Sequence, residues 1–311
     1  MTHAGAGPDT WKRMAGELGL CGLAVPERFG GAGAGLAEVA VAVAEAGRVL
    51  LPLPLLSTAL AGAVLASEAS VAGDVLAGIA DGSVRAAFVV GVGVSAGGGG
   101  RLSGVVAHVL DGAEADVFVV RAGAALFLVR AGSAAVSGTE TLDQTRSQAT
   151  VKFRDAPAVP LGADAGRAEE LLRVMLAVES AAAAGYCLDR TVAYLKTREQ
   201  FGRALGTFQA LRHRCADLAV EVTSADATAR AAVRAATERP AELPVLGPLA
   251  KKHCADVFWQ VAAETVQLHG GIGFTWEHEA HRYLKRAKST QLLHGSPAEL
   301  RRLVAERAGL Y

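Results

Sequence analysis

The chain has 311 residues, with 31 basic and 31 acidic side chains and no formal net charge. That balance favours neither a polyanion such as nucleic acid nor an anionic membrane surface, and the length allows one large domain or two to three small ones around a sizeable core. The four cysteines (Cys21, Cys187, Cys215, Cys254) form no CxxC pair, which predicts no metal site and reads as free, mostly buried thiols in a reducing cytoplasm.

Residues 1–82 read as a helical domain. "DTWKRMAGELGLCGL" spaces its apolar residues as a helix does, and "AVPERFGGAGAG" breaks it with proline and glycine. "LAEVAVAVAEAGRVL" predicts a second helix, "LPLPL" a connector, and "LSTALAGAVLA" and "SVAGDVLAGIADGS" two more. The apolar run "VLLPLPLLSTALAGAVLA" carries two prolines, which argues against a membrane span. Residues 83–160 change character. "RAAFVVGV", "GVVAHVL", "DVFVVRA", "ALFLVRA" and "QATVKFRD" are short β-rich runs between Gly, Asp and Ser turns, which predicts an antiparallel sheet or small barrel. "SAGGGG" (Ser95 to Gly100) has neither Walker nor dinucleotide spacing and reads as a hairpin tip.

Residues 161–311 return to helical periodicity. Four long apolar-faced segments start at Arg167, Gly206, Pro248 and His278, with "ERPAELPVLG" as a break before the third, and predict a four-helix bundle. The fold class is α+β: an N-terminal helical domain, a central antiparallel β-domain and a C-terminal four-helix bundle. Pattern alone assigns no chemistry to it.

Three stretches carry a resemblance. "YLKTREQFGRALGTFQALRHRCADL" (Tyr194 to Leu218), "QLHGGIGFTWEHEAHRYLKRA" (from Gln267) and, more weakly, "GLCGLAVPERFGGAGAG" are similar to motifs of the flavin-dependent acyl-CoA dehydrogenases, in order and at family-like separation. The resemblance spans essentially the whole chain and implies the same succession of domains, FAD as cofactor, an acyl-CoA substrate and an electron-transfer acceptor. It implies cofactor contacts at Arg198, Phe201, Gln209, Gln267, Gly270 and Gly271. The chemistry of those side chains agrees. Arginine offers a forked donor to a pyrophosphate, phenylalanine a flat apolar surface, glutamine both a donor and an acceptor, and glycine lets backbone approach a ligand or turn sharply, as at Gly202. Taken singly, a Gly pair ends helices and a Phe fills cores.

The same resemblance exposes gaps. The family's usual base is a glutamate in a Tyr-Glu-Gly-Thr-like turn, and here that turn is Leu293-His294-Gly295-Ser296. The alternative base position, on the first bundle helix, is Leu172, with Glu169 and Glu170 out of register. Arg173 matches a family helix arginine near the active site. Glu179, Glu277 and His294 are the other candidate bases. The β-domain lacks a "TEPGAGSD"-like loop, and no tryptophan lies between Trp11 and Trp259. Few residues precede the "W…GELGL…VPE" helix, so the helices that wall the family's acyl pocket are expected to be short or absent.

The motifs kept are those that in the family reach a neighbouring subunit's FAD, and the elements lost are those that serve a chain's own. The resemblance therefore implies a subunit of an α2β2 dehydrogenase of the kind used in actinobacterial steroid catabolism, paired with a complete sister chain. A self-sufficient homotetramer with an unusual base, and a non-catalytic scaffold, are the competing readings.

Overall fold

The structure is a computed structural model that describes residues 7–91 and 93–310. The chain divides into two compact units. One comprises Met1–Val43, Leu51–Thr141 and Arg146–Met175; the other comprises Ala44–Leu50, Leu142–Thr145 and Leu176–Tyr311.

The first unit opens with helix α1 (Pro8–Lys12), which continues as a π turn to Glu17. Helices α2 (Leu36–Arg48, whose last residues belong to the other unit), α3 (Leu55–Leu65) and α4 (Ala69–Asp81) follow. Trp11 donates its indole N–H to the Gly82 carbonyl at 2.8 Å and so anchors α1 to the end of α4. α3 is apolar all round and almost wholly buried, as a helix covered on every side must be.

Eight strands come next: β1 (Ala86–Val89), β2 (Val94–Gly97), β3 (Arg101–Leu110), β4 (Val117–Ala122), β5 (Ala125–Arg130), β6 (Ala134–Gly138), β7 (Gln148–Pro157) and β8 (Val159–Leu161). They form two four-stranded sheets, in the orders β1-β4-β5-β8 and β2-β3-β7-β6. Leu102, Val106, Phe118, Val120, Phe127, Val151 and Phe153 fill one core drawn from both sheets, and Phe118 meets Phe153 edge-on at 6.3 Å. β4 is buried along most of its length and reads as a near-continuous apolar run, as strands covered on both faces do.

The five β runs predicted from the sequence correspond to β1, β3, β4, β5 and β7. Ser95–Gly100 does hold a hairpin tip, but its first residues form strand β2, paired with β3. The pairing is antiparallel with one exception. β1 and β4 run parallel, because the chain leaves the first sheet after β1, builds β2 and β3 in the other, and re-enters beside β1. α3 is stitched to the strands by polar contacts: Ser57 donates to Asp111 at 2.5 Å, and the Thr58 hydroxyl accepts the Ala86 N–H at 3.2 Å.

Helix α5 (Ala165–Thr197) begins in the first unit and continues through the second. By length and composition it could cross a membrane, yet most of its apolar window is buried within the protein. The second unit then carries a two-residue hairpin, β9 (Glu199–Gln200) and β10 (Arg203–Ala204), and helices α6 (Gln209–Thr237), α7 (Leu243–His269), α8 (Ala280–Leu292) and α9 (Pro297–Arg307). The four expected helices are present, and α9 is an addition, started by a capping box between Ser296 and Glu299.

α7 begins earlier than the "ERPAELPVLG" break suggests. Pro244 sits in its first turn, where the missing N–H would be unpaired anyway. Pro248 lies one turn further in and leaves the Pro244 carbonyl without its helical donor. Arg307, at the end of α9, donates to that carbonyl at 2.6 Å.

Candidate functional site

A groove of about 850 Å³ opens in the second unit, between the end of α5, the β9–β10 hairpin, the start of α6 and the end of α7. Its wall contains Arg198, Gln267, Gly270 and Gly271, four of the residues expected to hold a cofactor. Each is placed by its local structure. Arg198 follows the last turn of α5, its N–H bonded to the Tyr194 carbonyl at 2.8 Å. Gln267 lies in the last turn of α7. Gly270 ends that helix with φ +64° and ψ −145°, a positive-φ conformation that other residues rarely adopt. A Cβ on Gly270 or Gly271 would meet no atom within 4 Å, so the backbone there is open to a ligand.

The groove also contains residues that sequence reasoning passed over: Tyr194, Arg214, Glu264 and His269. Tyr194 lies one turn before Arg198 and Glu264 one turn before Gln267, but only the packing of α5, α6 and α7 brings all four to one groove. Arg214 grips Glu264 in a forked ion pair, at 2.8 Å through Nε and 2.5 Å through Nη2. Arg198 and Gln267, by contrast, make no side-chain hydrogen bond or ion pair among the described residues. One guanidinium is thus already neutralised and another is free to meet an anion. The donors and the open glycines fit a phosphorylated ligand.

Phe201 and Gln209 do not line the groove. Phe201 and Gly202 form the tip of the β9–β10 hairpin, both in the left-handed region (φ +56° and +75°), as a two-residue type I′ turn requires. The turn holds the Phe201 ring 88% exposed, edge-on to Phe208 at 6.0 Å. Gln209 is the exposed first residue of α6, with its amide 3.5 Å from His213.

The positions that resemblance marks for a base are differently occupied. Leu172 is core, 1% exposed. Arg173 is committed to structure: it donates to Glu170 at 2.6 Å and to Glu169, which also pairs with Arg121. His294 follows α8 with φ +54°, in a turn clamped by buried Lys251, whose ammonium donates to the Gln291 carbonyl at 3.0 Å and the Gly295 carbonyl at 2.8 Å. Glu277 is exposed. Glu179 is engaged elsewhere: its carboxylate accepts from Arg286 at 2.9 Å, and Arg286 also pairs with Asp143 at 2.9 Å. The long range of that contact hid it from pattern reading.

Comparison with known proteins adds to this geometry. Residues 168–309 match the model of the acyl-CoA dehydrogenase C-terminal domain, and residues 1–74 that of the acyl-CoA dehydrogenase N-terminal domain. The chain is similar to acyl-CoA dehydrogenase IpdE2 of Mycobacterium tuberculosis, 38% identical over 95% of this chain and 86% of that one. Among solved structures it is similar to the Tcur3481-Tcur3483 steroid ACAD, at TM-score 0.90 and 32% identity over 97% of this chain and 88% of that one. It is also similar to the ChsE4-ChsE5 complex from Mycobacterium tuberculosis, at TM-score 0.88 and 27% identity over 98% of this chain and 89% of that one.

Proposed function

The chain belongs to the acyl-CoA dehydrogenase family, and from that premise we propose that it is one subunit of a heteromeric, FAD-dependent enzyme that dehydrogenates a CoA thioester between its α and β carbons. A second, complete subunit supplies the catalytic base and the contacts to the flavin ring. This chain holds the adenosine-pyrophosphate half of the cofactor. The observation that carries the reading is the pairing of an uncommitted Arg198 and Gln267 on the groove with a core leucine at one base position and a histidine at the other. The names of the similar structures, a steroid ACAD and a two-protein complex, support a steroid side-chain acyl group and a paired assembly.

Each groove residue has a task. Arg198 presents two parallel N–H donors to a pyrophosphate, a bond to charge worth about 1.5–3 kcal/mol. Gln267 bonds at the groove wall, where its amide both donates and accepts. Gly270 and Gly271 let the main chain come within contact distance. Outside the groove, exposed Phe201 at the hairpin tip is available to a neighbouring chain. A bound flavin would supply a hydride acceptor for the β carbon, and the reaction would also need a carboxylate for the α proton. In this chain Glu179 is engaged by Arg286, so it is not free for that work.

Purification of the chain alone, and then with a candidate partner, tests the proposal. Activity and yellow colour are expected only from the pair, with one FAD for each two unlike chains. A homotetramer of this chain with one FAD per subunit and acyl-CoA oxidation would overturn it in favour of a self-sufficient enzyme. A colourless, inert product in both preparations would favour a scaffold. In the assembled enzyme, His294→Ala is expected to leave turnover within about tenfold, because loss of a general base lowers it about 10²–10⁴-fold. A loss in that larger range, with flavin retained, would identify His294 as the base.

A further inference from the structure

One side chain on the groove wall has no role in the account above. His269, the last residue of α7, is 4% exposed and lines the groove beside Gly270 and Gly271. Its Nδ1 lies 2.7 Å from the Thr265 carbonyl. A carbonyl oxygen only accepts, so Nδ1 carries the proton and Nε2 of the neutral ring is an acceptor. That Nε2 has no hydrogen-bond partner among the described residues, and it is not sealed from solvent. The ring is held in place. Tyr194 stacks on it at 4.4 Å and 26°, and His278 lies against it at 4.4 Å and 41°. A mostly desolvated acceptor is thus fixed at the edge of a groove where Glu264 is already neutralised by Arg214 and where Arg198 and the donor face of Gln267 suit phosphate.

We propose that His269 Nε2 accepts a hydrogen bond from the nucleoside half of the ligand, from a ribose hydroxyl or an exocyclic amino group, and so determines which nucleotide the groove takes. This rests on the reading of the groove as a flavin nucleotide site. Phosphate contacts alone would accept any dinucleotide, whereas a buried acceptor rejects a ligand that brings no donor, because the mismatch leaves it unpaired.

The same geometry sets a pH dependence. Burial lowers the pKa of His269 from its ordinary value, His278 and Arg190 lower it further, and the Thr265 carbonyl and Glu279 oppose the shift. The charged and titratable groups around the ring are Tyr194 and Arg190 from α5 and His278 and Glu279 from the segment before α8. Arg198, Arg214 and Glu264 stand on the same groove. Protonation of Nε2 converts it from acceptor to donor. The contribution of His269 to affinity is therefore present above its pKa and lost as the pH falls through it.

The test is calorimetric titration of the purified assembly, stripped of flavin, with ADP, inosine diphosphate, 2′-deoxy-ADP and 3′-deoxy-ADP between about pH 5 and 8. Inosine diphosphate replaces the amino group by a carbonyl, and each deoxy compound removes one hydroxyl. His269→Phe keeps the flat ring and removes the acceptor. It is expected to weaken ADP about five- to tenfold, to erase the preference for ADP over the one analogue that lacks the donor, and to remove His269's step from the acid limb of the pH profile. His269→Gln, which keeps an acceptor in reach, should retain most of the affinity, and a melting curve verifies that both variants fold. Arg198→Ala should weaken all four nucleotides by a common factor of about ten or more. If Arg198→Ala weakens binding while His269→Phe leaves affinity, ranking and pH profile as in the parent, the His269 assignment alone is overturned. If Arg198→Ala changes nothing either, or the parent binds none of the four, the flavin-groove reading falls with it.

Discussion

Arg286→Met is expected to lower the stability of the chain by about 3–5 kcal/mol. Arg286 is 1% exposed and serves as the hub of a buried polar cluster. Its Nε faces Asp143 at 2.9 Å and the Thr145 hydroxyl at 2.8 Å, its Nη1 donates to Glu179 at 2.9 Å, and its Nη2 donates to the Thr145 carbonyl at 3.0 Å. Asp143 in turn accepts from the Thr145 N–H at 2.9 Å and its hydroxyl at 2.5 Å. Methionine nearly fills the volume, so a cavity contributes little. What remains is two buried carboxylates that have lost this cation, and that penalty exceeds the net worth of the original pairs. A domain is stable by about 5–15 kcal/mol, so the variant should unfold at much lower denaturant. Adding Asp143→Asn and Glu179→Gln should recover most of the loss, because the stranded charges are then gone. The midpoint of chemical unfolding for the single and triple variants decides the matter. A single variant within about 1 kcal/mol of the parent would show that the cluster contributes little.

Gly31→Ala is expected to lower stability by about 3 kcal/mol, at the upper end of overpacking effects. A Cβ at Gly31 would stand 2.1 Å from the Val25 oxygen and 2.6 Å from the Gly22 oxygen. Both are backbone acceptors already in use, since Ala32 N–H bonds to Gly22 at 3.0 Å and Gly33 N–H to Val25 at 2.9 Å. The added methyl would have to push apart the two strands of chain that those bonds hold together. Gly19, whose Cβ would meet nothing within 4 Å, is not a steric control, because its φ of +65° is itself strained for alanine. Gly132, with open space and no left-handed backbone, is the appropriate one, and Gly132→Ala should leave the melting temperature nearly unchanged.

Much of this architecture is legible in the residues. Helices α2 to α8 and strands β1, β3, β4, β5 and β7 follow from apolar periodicity, because each buries one face or both. Strands β6 and β8 escape that reading. β6 is mostly exposed and β8 carries Pro160 at a sheet edge, so neither has an apolar pattern to betray it. The groove was legible in part. Arg198, Gln267, Gly270 and Gly271 lie in motifs, whereas Arg214, Glu264 and Tyr194 declare themselves only once α5, α6 and α7 are set side by side. The Arg286 cluster was opaque for another reason. Asp143 lies in a short irregular segment, and nothing in its neighbourhood along the chain announces a buried guanidinium 143 residues away in sequence.

The hairpin tip at Phe201 has a consequence for supply. A phenyl ring presented 88% to water, with Phe274 and Trp276 also outward on the same unit, is the kind of surface that chaperones and proteases recognise on unfinished proteins. If the chain is the heteromer subunit proposed above and its partner covers that ring, a copy without the partner should be short-lived in the cell. In that proposed assembly, matched synthesis of the two chains would matter as much to the amount of working enzyme as the folding of either.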